Sequence, residues 1–355
     1  MDDRRDLVVV GAGFAGLACA KRAAERGLSV LVIDQQPSPG RYVHTTGILV
    51  KEAQAEWAAP APLVRRIDRV RLYAPSHRHV ELRSNDYYFL ATDTPKLMRF
   101  LADETRRAGA EIRFGSEFVG VTRNGRHLVL DGHGVGGRFL VGADGVHSKV
   151  AQATRLDRNT RLLKGVEWEY EPIERAGDCL HCFVDPRRAP GYIGWVVPGV
   201  GVTQVGLAVR QEGRADISGF VEHLDTRFGL RSVRVVDKRG GMIPTNGLLR
   251  RFHAERVLLI GDAAGMVSPL TAGGIHRSYQ FGKLAADAIA GYLEGDAPHP
   301  GDVVAAAYRS DAWKQSARWC FDNLPVAMCM ELGVTATSLL KRVACKVFFD
   351  RFAAR

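Results

Sequence analysis

The chain has 355 residues, 46% hydrophobic and 25% charged, an ordinary balance for a folded protein long enough to hold two interlocked domains. Its formal net charge is +10, yet no basic run is interleaved with stacking aromatics, which speaks against a nucleic-acid-binding function. Six cysteines, at 19, 179, 182, 320, 329 and 345, suggest no disulfide framework at this length, so a reducing, cytoplasmic setting is expected.

The opening MDDRRDLVVV carries acids and runs straight into an apolar stretch, unlike a secretory signal. Leu7–Val10 predicts a buried parallel strand, a short β-branched run ending in glycine. Residues 14–26 have helical spacing, with Leu17, Ala20 and Ala24 on one face and Lys21, Arg22 and Glu25 on another. Gly27 stands at the C-cap position, and 29–33 predict a second strand. Between strand and helix lies GxGxxG. Gly11 permits the tight turn, Gly13 a pyrophosphate's approach to the backbone, and Gly16 close packing of helix on strand. The helix start at Phe14 and Ala15 offers free N–H groups and a positive dipole end. Asp34, 18 residues beyond Gly16 and followed by Gln35, is placed to accept hydrogen bonds from a ribose diol. An adenine dinucleotide fits this unit, and FAD and NAD fit it equally.

The next stretch, QQPSPGRYVHTTGILVKEA, predicts a loop with Gly40 and Gly47 as hinges, carrying Arg41, His44, Thr45 and Thr46. Residues 68–73 and 78–82 predict a strand pair, 95–108 a helix with proline in its first turn, and AEIRF (110–114) a strand. The glycines of DGHGVGG precede no helix and predict a hairpin loop inside the alternating stretch 116–141. FLVGADGVHSKV (139–150) predicts a strand ending at Ala143-Asp144-Gly145, and 162–240 is strand-like throughout. Within it CLHC (179–182) resembles a redox or zinc half-site without a second CxxC, so two incidental cysteines are the simpler expectation. A last βα unit spans 256–293, its helix beginning near Gly273 or Gly274, and 302–355 is helical in composition.

Near the C-terminus, Leu339, Leu340, Val343 and Val347 share a helical face while Phe348, Phe349 and Phe352 fall elsewhere. Glu331 interrupts the preceding apolar run, against a spanning helix of ~20 residues. A cap over a substrate channel and a membrane-docking surface both fit. Small basic clusters at 64–71, 187–188, 250–251 and 341–355 are either a solvated surface or one that faces anionic lipid.

GxGxxG at 11–16, GADGVHS at 142–148 and LIGDAAGMVSPLTAGGI at 259–275, in that order, resemble the FAD-dependent flavoproteins of the p-hydroxybenzoate hydroxylase fold over about residues 5–295. The resemblance implies an α/β protein. A Rossmann-like FAD-binding domain of the glutathione reductase/p-hydroxybenzoate hydroxylase type (1–60, 90–160, 241–296) is interleaved with an antiparallel-sheet substrate domain (61–89, 161–240) and followed by a helical region (297–355). It implies FAD contacts from Gly11, Gly13, Phe14, Ala15, Gly16, Asp34, Gln35, Arg41, Thr45, Thr46 and Gly47. Asp144 falls near the pyrophosphate and the nicotinamide route, or is a turn aspartate. Asp262 would bond a ribityl hydroxyl beside Gly261. Pro269, Thr271, Ala272, Gly273, Gly274 and Ile275 would lead into a helix whose positive end favours the reduced flavin anion. Two departures stand out: Thr94-Pro95 and Ala151 occupy places where the family usually has arginine, and Arg41 is a candidate replacement charge.

GYIGWVVPGVGVTQVGLAV (191–209) is similar to the signature of the geranylgeranyl reductase branch: Trp195, Pro198 and Gly206 match, while Ile193, Val197 and Ala208 depart and Tyr192 stands one place early. GGMIP (240–244) is also similar. Flavin halogenases carry a related segment, but the first of their two tryptophans is absent here. The resemblance implies hydride transfer from reduced FAD to a C=C bond of an isoprenoid or lipid, in a dry apolar tunnel. Trp195 and Tyr192 would line it or fill the sheet core. Thr45 and Thr46 stand where the reductases often have a cysteine near the flavin. Trp195, Tyr192, Thr46 and His44 are the catalytic candidates, with His276 and Lys51 as further polar groups; no metal is expected. The fold also serves FAD monooxygenases, redox-neutral isoprenoid cyclases and flavin-binding modules without turnover. No second GxGxxG is present, so the reductant is NAD(P)H visiting transiently or a ferredoxin-like carrier attracted by the basic surface. The expected partners are a lipid substrate, that carrier and a peripheral membrane contact.

Overall fold

The computed structural model describes residues 3–125, 127–295, 297–308, 312–335 and 337–349; Phe352 and the end of the last basic cluster lie outside the described residues. The chain forms two compact units and passes between them repeatedly: 1–42, 95–161 and 243–314 make the first, and 43–94, 162–242 and 315–355 the second.

In chain order, β1 (Asp3–Val10), α1 (Phe14–Glu25) and β2 (Val30–Asp34) open the first unit. The second unit begins with β3 (Ile48–Val50), α2 (Lys51–Trp57), β4 (Val64–Ile67), β5 (Arg69–Tyr73), β6 (His79–Arg83) and β7 (Phe89–Thr92). There follow α3 (Thr94–Arg107), β8 (Glu111–Phe114), β9 (Val121–Asn124), β10 (His127–Leu130), β11 (Val135–Gly142) and α4 (Lys149–Ala153). The chain then makes β12 (Leu162–Tyr170), β13 (Cys179–Phe183), β14 (Gly194–Pro198), β15 (Thr203–Arg210), α5 (Ile217–Phe228) and β16 (Val235–Pro244). It closes with β17 (His253–Ala254), β18 (Val257–Leu259), α6 (Ile275–Glu294), α7 (Pro300–Ala307), α8 (Ala312–Asn323), α9 (Val326–Thr335) and α10 (Thr337–Phe348).

The first unit is built on a sheet in the order β17-β18-β11-β1-β2-β8, with β10 and β9 added beside β11. β18, β11, β1, β2 and β8 run parallel, so their carboxyl ends share one edge. Leu7, Val8 and Val9 of β1 are fully buried, as a continuous apolar run in a doubly covered parallel strand requires.

The second unit holds a seven-stranded sheet, β16-β12-β15-β14-β13-β5-β6, and a three-stranded one, β3-β7-β4. Strand alternation divides the large sheet's faces. Tyr170, Val196, Val205, Leu207 and Val209 pack with Phe220, Val221, Leu224 and Phe228 of α5 into a core. Glu167, Glu169, Trp195 and Gln204 occupy the alternate positions. The strand-like expectation for 162–240 overlooked α5: Asp216 caps it by accepting from Gly219 N, Gly229 ends it in the left-handed conformation, and its four buried residues have helical spacing. The division into units also differs from the expected domains. Residues 43–60 and 90–94 fall in the second unit because β3 and β7 pair with each other and β7 with β4, and the 297–355 region divides at residue 314.

CLHC lies within β13, where alternation sends Cys179 and Cys182 to opposite faces. Burial pushes both thiols up, Cys179 to about 11, and the described residues contain no group of three or more metal-ligating side chains. The half-site reading fails on geometry. His181, between the two cysteines, is 2% exposed; its Nε2 donates to Ala176 O and its Nδ1 accepts from the Tyr73 hydroxyl, both at 2.9 Å. Burial lowers its pKa to about 4. A histidine kept neutral in the fold loses its contribution as acid protonates the unfolded chain. Unfolding free energy measured in denaturant is therefore expected to fall by on the order of 3 kcal/mol between pH ~6.5 and ~4, and by much less in His181→Gln.

Candidate functional site

The four candidate elements of the first unit all follow the carboxyl ends of adjacent parallel strands, where open α/β sheets bind ligands. The glycine turn follows β1, Asp34 ends β2, Asp144 follows β11 and Asp262 follows β18. Gly11 has φ +104°, and a Cβ there would stand 2.3 Å from Ala143 O, so the turn presses directly on the strand end that carries Asp144. A Cβ on Gly16 would meet Gly11 O at 1.9 Å; helix and strand touch backbone to backbone. Gly13 has nothing within 4 Å of such a Cβ, leaving open space at the start of α1. That helix has no side-chain cap and no acid in its first turn, the arrangement that favours an anion. Phe14 opens it, and Ala15 is buried.

Asp34 shapes this turn as well as facing it: Oδ2 accepts from Ala12 N at 2.6 Å and Oδ1 from Gln36 N at 2.7 Å, while Gln35 is exposed. Asp144 works as a local cap, accepting from Ser148 Oγ at 2.6 Å and Val150 N at 3.0 Å at the start of α4. Burial raises its pKa against those donors. Asp262 is different. Burial pushes its pKa to about 6, yet no described residue donates to its carboxylate. Its Oδ1 lies 3.6 Å from where a Gly274 Cβ would be, placing the carboxylate at the onset of α6. Gly274 is the N-cap of α6, again without a side-chain cap or a first-turn acid, and Ile275 is its first residue. The loop before it is held by Ser268: Thr271 N and Oγ1 bond its Oγ, Ala272 N bonds its carbonyl, and its own N donates to Gly273 O. Pro269 is buried and Ala272 has φ +50°.

At Gly261 the missing side chain also serves packing within the protein, since a Cβ there would stand 2.8 Å from Ala15 Cβ. Arg41 is exposed and lies over the Tyr42 ring at 5.3 Å. The neighbouring Gly40 (φ +70°) abuts Pro95, with 2.5 Å from a Cβ to Pro95 O. Lys51 opens α2 and donates to Asp86 O, and His276 stands in the first turn of α6.

In the second unit, residues 44–47 are tied down at each position. His44, which is exposed, bonds Gly240 O through Nδ1 (2.8 Å); Thr45 Oγ1 accepts from Gly47 N; Thr46 Oγ1 donates to Glu167 Oε2 (2.7 Å). Gly47 (φ +72°) is enclosed by the Thr92 and Thr94 hydroxyls, so its glycine serves the fold. Trp195 and Glu167 are both register partners of Gly206, one on each neighbouring strand. The indole lies across Gly206, where a Cβ would be 2.5 Å from Cζ2, and its Nε1 donates to Glu167 Oε2 at 2.8 Å. In the next row Glu169 faces Gln204, whose Nε2 donates to Glu169 Oε1 and to Thr46 O. Tyr192 is buried at 8% exposure ahead of β14. Sequence reading missed Glu167, Glu169 and Gln204. Their signal was the alternation VEWEY, acids on one face and apolar residues on the other, which is also the pattern of a half-solvated strand.

Two uncapped helix starts, an open glycine and a half-buried carboxylate without a donor among the described residues suit a dinucleotide with a phosphate-rich middle and a polyhydroxylated arm. The family described as FAD binding domain matches residues 4–310. Digeranylgeranylglycerophospholipid reductase 2 of Methanopyrus kandleri is 29% identical over 82% of this chain and 78% of its own length. Digeranylgeranylglycerophospholipid reductase of Methanothrix thermoacetophila is 31% identical over 84% of this chain and 80% of its own. A geranylgeranyl bacteriochlorophyll reductase-like protein of Thermoplasma acidophilum has the same fold, with a TM-score of 0.84, 20% identity, and coverage of 98% of this chain and 97% of that one. Fold and cradle define an FAD-binding flavoprotein of the p-hydroxybenzoate hydroxylase type. Within that class, the chain belongs to the geranylgeranyl reductase family of FAD-dependent oxidoreductases.

The two glycines predict opposite defects. Gly16→Ala should lower stability by about 3 kcal/mol, whereas Gly13→Ala should stay within about 1 kcal/mol of the parent and weaken flavin binding roughly tenfold. Thermal melts together with flavin fluorescence titration separate the two.

Proposed function

We propose that this protein saturates C=C bonds of a geranylgeranyl-type lipid. The reading is carried by the 31% identity to a reductase named for such a lipid, together with the pairing of two residues of the reductase-like segment: Trp195 takes its position because residue 206 is glycine. Bound and reduced, FAD supplies a hydride. The chain's own part is to hold it: Gly13 and the start of α1 for the pyrophosphate, Asp34 for the ribose, Asp262 and the start of α6 for the ribityl arm and pyrimidine edge. Asp144, through its cap of α4, keeps the third strand end in shape. An isolated alkene offers no polar handle, so substrate recognition falls to apolar surface, and the Trp195 indole supplies it beside Thr46.

No helix of the described residues is long and apolar enough to cross a membrane. The last helices expose Trp319, Leu324, Met328, Leu332 and Val343, with Lys341 and Arg342 also exposed, a combination suited to the headgroup region of an anionic bilayer. Sedimentation should show binding to anionic vesicles, weakened by Lys341→Glu/Arg342→Glu and by salt, and little binding to zwitterionic ones.

Under anaerobic conditions with dithionite, which removes any dependence on the natural donor, a geranylgeranyl lipid should gain two hydrogens per saturated bond by mass spectrometry. A new product of unchanged mass and altered chromatographic retention would instead indicate cyclisation, and added oxygen in aerated samples a monooxygenase. Trp195→Ala should lower turnover about tenfold or more while leaving flavin content intact.

A further inference from the structure

Glu167 is 4% exposed in the middle of β12, and its hydrogen bonding is one-sided. Both donors that reach it, Thr46 Oγ1 and Trp195 Nε1, bond the same atom, Oε2. Oε1 is buried and has no partner among the described residues. Among the described residues no cation bonds either oxygen. Arg239 of β16 bonds Glu169 at 2.7 Å and Asp237 at 3.3 Å, while its Nη1 is buried without a partner among the described residues.

An ionised carboxylate divides its charge over both oxygens, and burying one without donors on each is costly. A carboxylic acid has one good acceptor, the carbonyl oxygen, and one hydroxyl. Two donors on Oε2 and none on Oε1 fit the acid with Oε2 as its carbonyl oxygen, the Oε1 hydroxyl being without an acceptor among the described residues. We propose that Glu167 is a positioning residue that carries a proton on Oε1 and, in that state, pins the Thr46 hydroxyl and the Trp195 indole through Oε2.

The surrounding charges agree. Burial raises the pKa of Glu167; the hydrogen bonds from Thr46 and Trp195, and then Arg239, oppose that rise, and Glu169 on the same face adds a smaller one. Glu169 is itself raised by burial, with Asp237 and Asp93 adding to the effect and Arg239 again opposing it. Gln204, between the acids and residue 46, is neutral and bonds Thr46 O rather than Glu167. Ionisation of Glu167 would place an unpaired charge on this face, and relief by water or by Arg239 would disturb both pinned side chains.

The protonation stands on the geometry alone; its importance for turnover rests on the reading of the chain as an alkene reductase. The infrared spectrum of the flavin-loaded protein near neutral pH should contain the C=O band of a protonated carboxyl that Glu167→Gln lacks. Thr46→Val, which removes one donor, should shift that band to higher frequency and provides the same readout should Glu167→Gln fail to fold. Because the folded pKa lies above the unfolded one, stability falls as pH rises from ~4.5 toward the folded value, so the melting temperature of Glu167→Gln should rise relative to the parent as pH increases. The alkaline limb of kcat should be displaced in Glu167→Gln with KM little changed. Absence of the band, or its retention in Glu167→Gln, would overturn the protonation. An unaltered pH profile in that variant would overturn the positioning role. If the parent reduces no isoprenoid, the functional reading fails while the infrared result still decides the proton.

Discussion

Close backbone contact around α1 is the constraint on which the first unit rests. Gly16 meets Gly11 O, Gly11 meets Ala143 O, Gly261 meets Ala15 Cβ, and Gly282 of α6 meets Ala15 O at 2.5 Å from a Cβ. Each of these positions would clash with any side chain. The consequence is that three separate chain segments, after β1, β11 and β18, are drawn together at one sheet edge with two helix starts among them. Peptide dipoles and N–H groups, rather than charged side chains, supply the positive character there. At one of the two positions without the family's arginine, Pro95 is packed under Gly40, so the local backbone takes up the space.

The second unit uses glycine for a different purpose. Gly206 removes a side chain from the middle of a row in the sheet, and the Trp195 indole lies in the space to reach Glu167 on the far strand. The indole is thereby fixed over Gly206 by a hydrogen bond at its Nε1. Thr46 is bound to the same carboxyl, and its carbonyl to Gln204, so residues 44–47 inherit the rigidity of the strands below. For chemistry on an alkene, which cannot be oriented by hydrogen bonds, a rigid apolar plane is the available means of positioning.

The legible parts were those encoded locally. Strand, glycine turn, helix and acid at 7–34 follow from apolar periodicity and from the freedom of Gly11 at positive φ. Residues 216–229 also held a local signal, an aspartate cap, helical spacing and a terminal glycine, which the strands on either side obscured. CLHC shows the converse: its spacing suggested a site, and the pleat of β13 sends the two thiols apart.

By itself, then, the amino-acid order determined the dinucleotide cradle and the class of chemistry, because each piece of that cradle is a short stretch whose conformation its own residues dictate. Only the tertiary structure decided that Gly261 serves Ala15, that Asp262 is left without a donor, and that Glu167 and Glu169 are buried. An acid on alternate positions of a strand looks the same whether water or protein covers that face, and the cover comes from residues far away in the chain: Thr46, Trp195, Gln204 and Arg239.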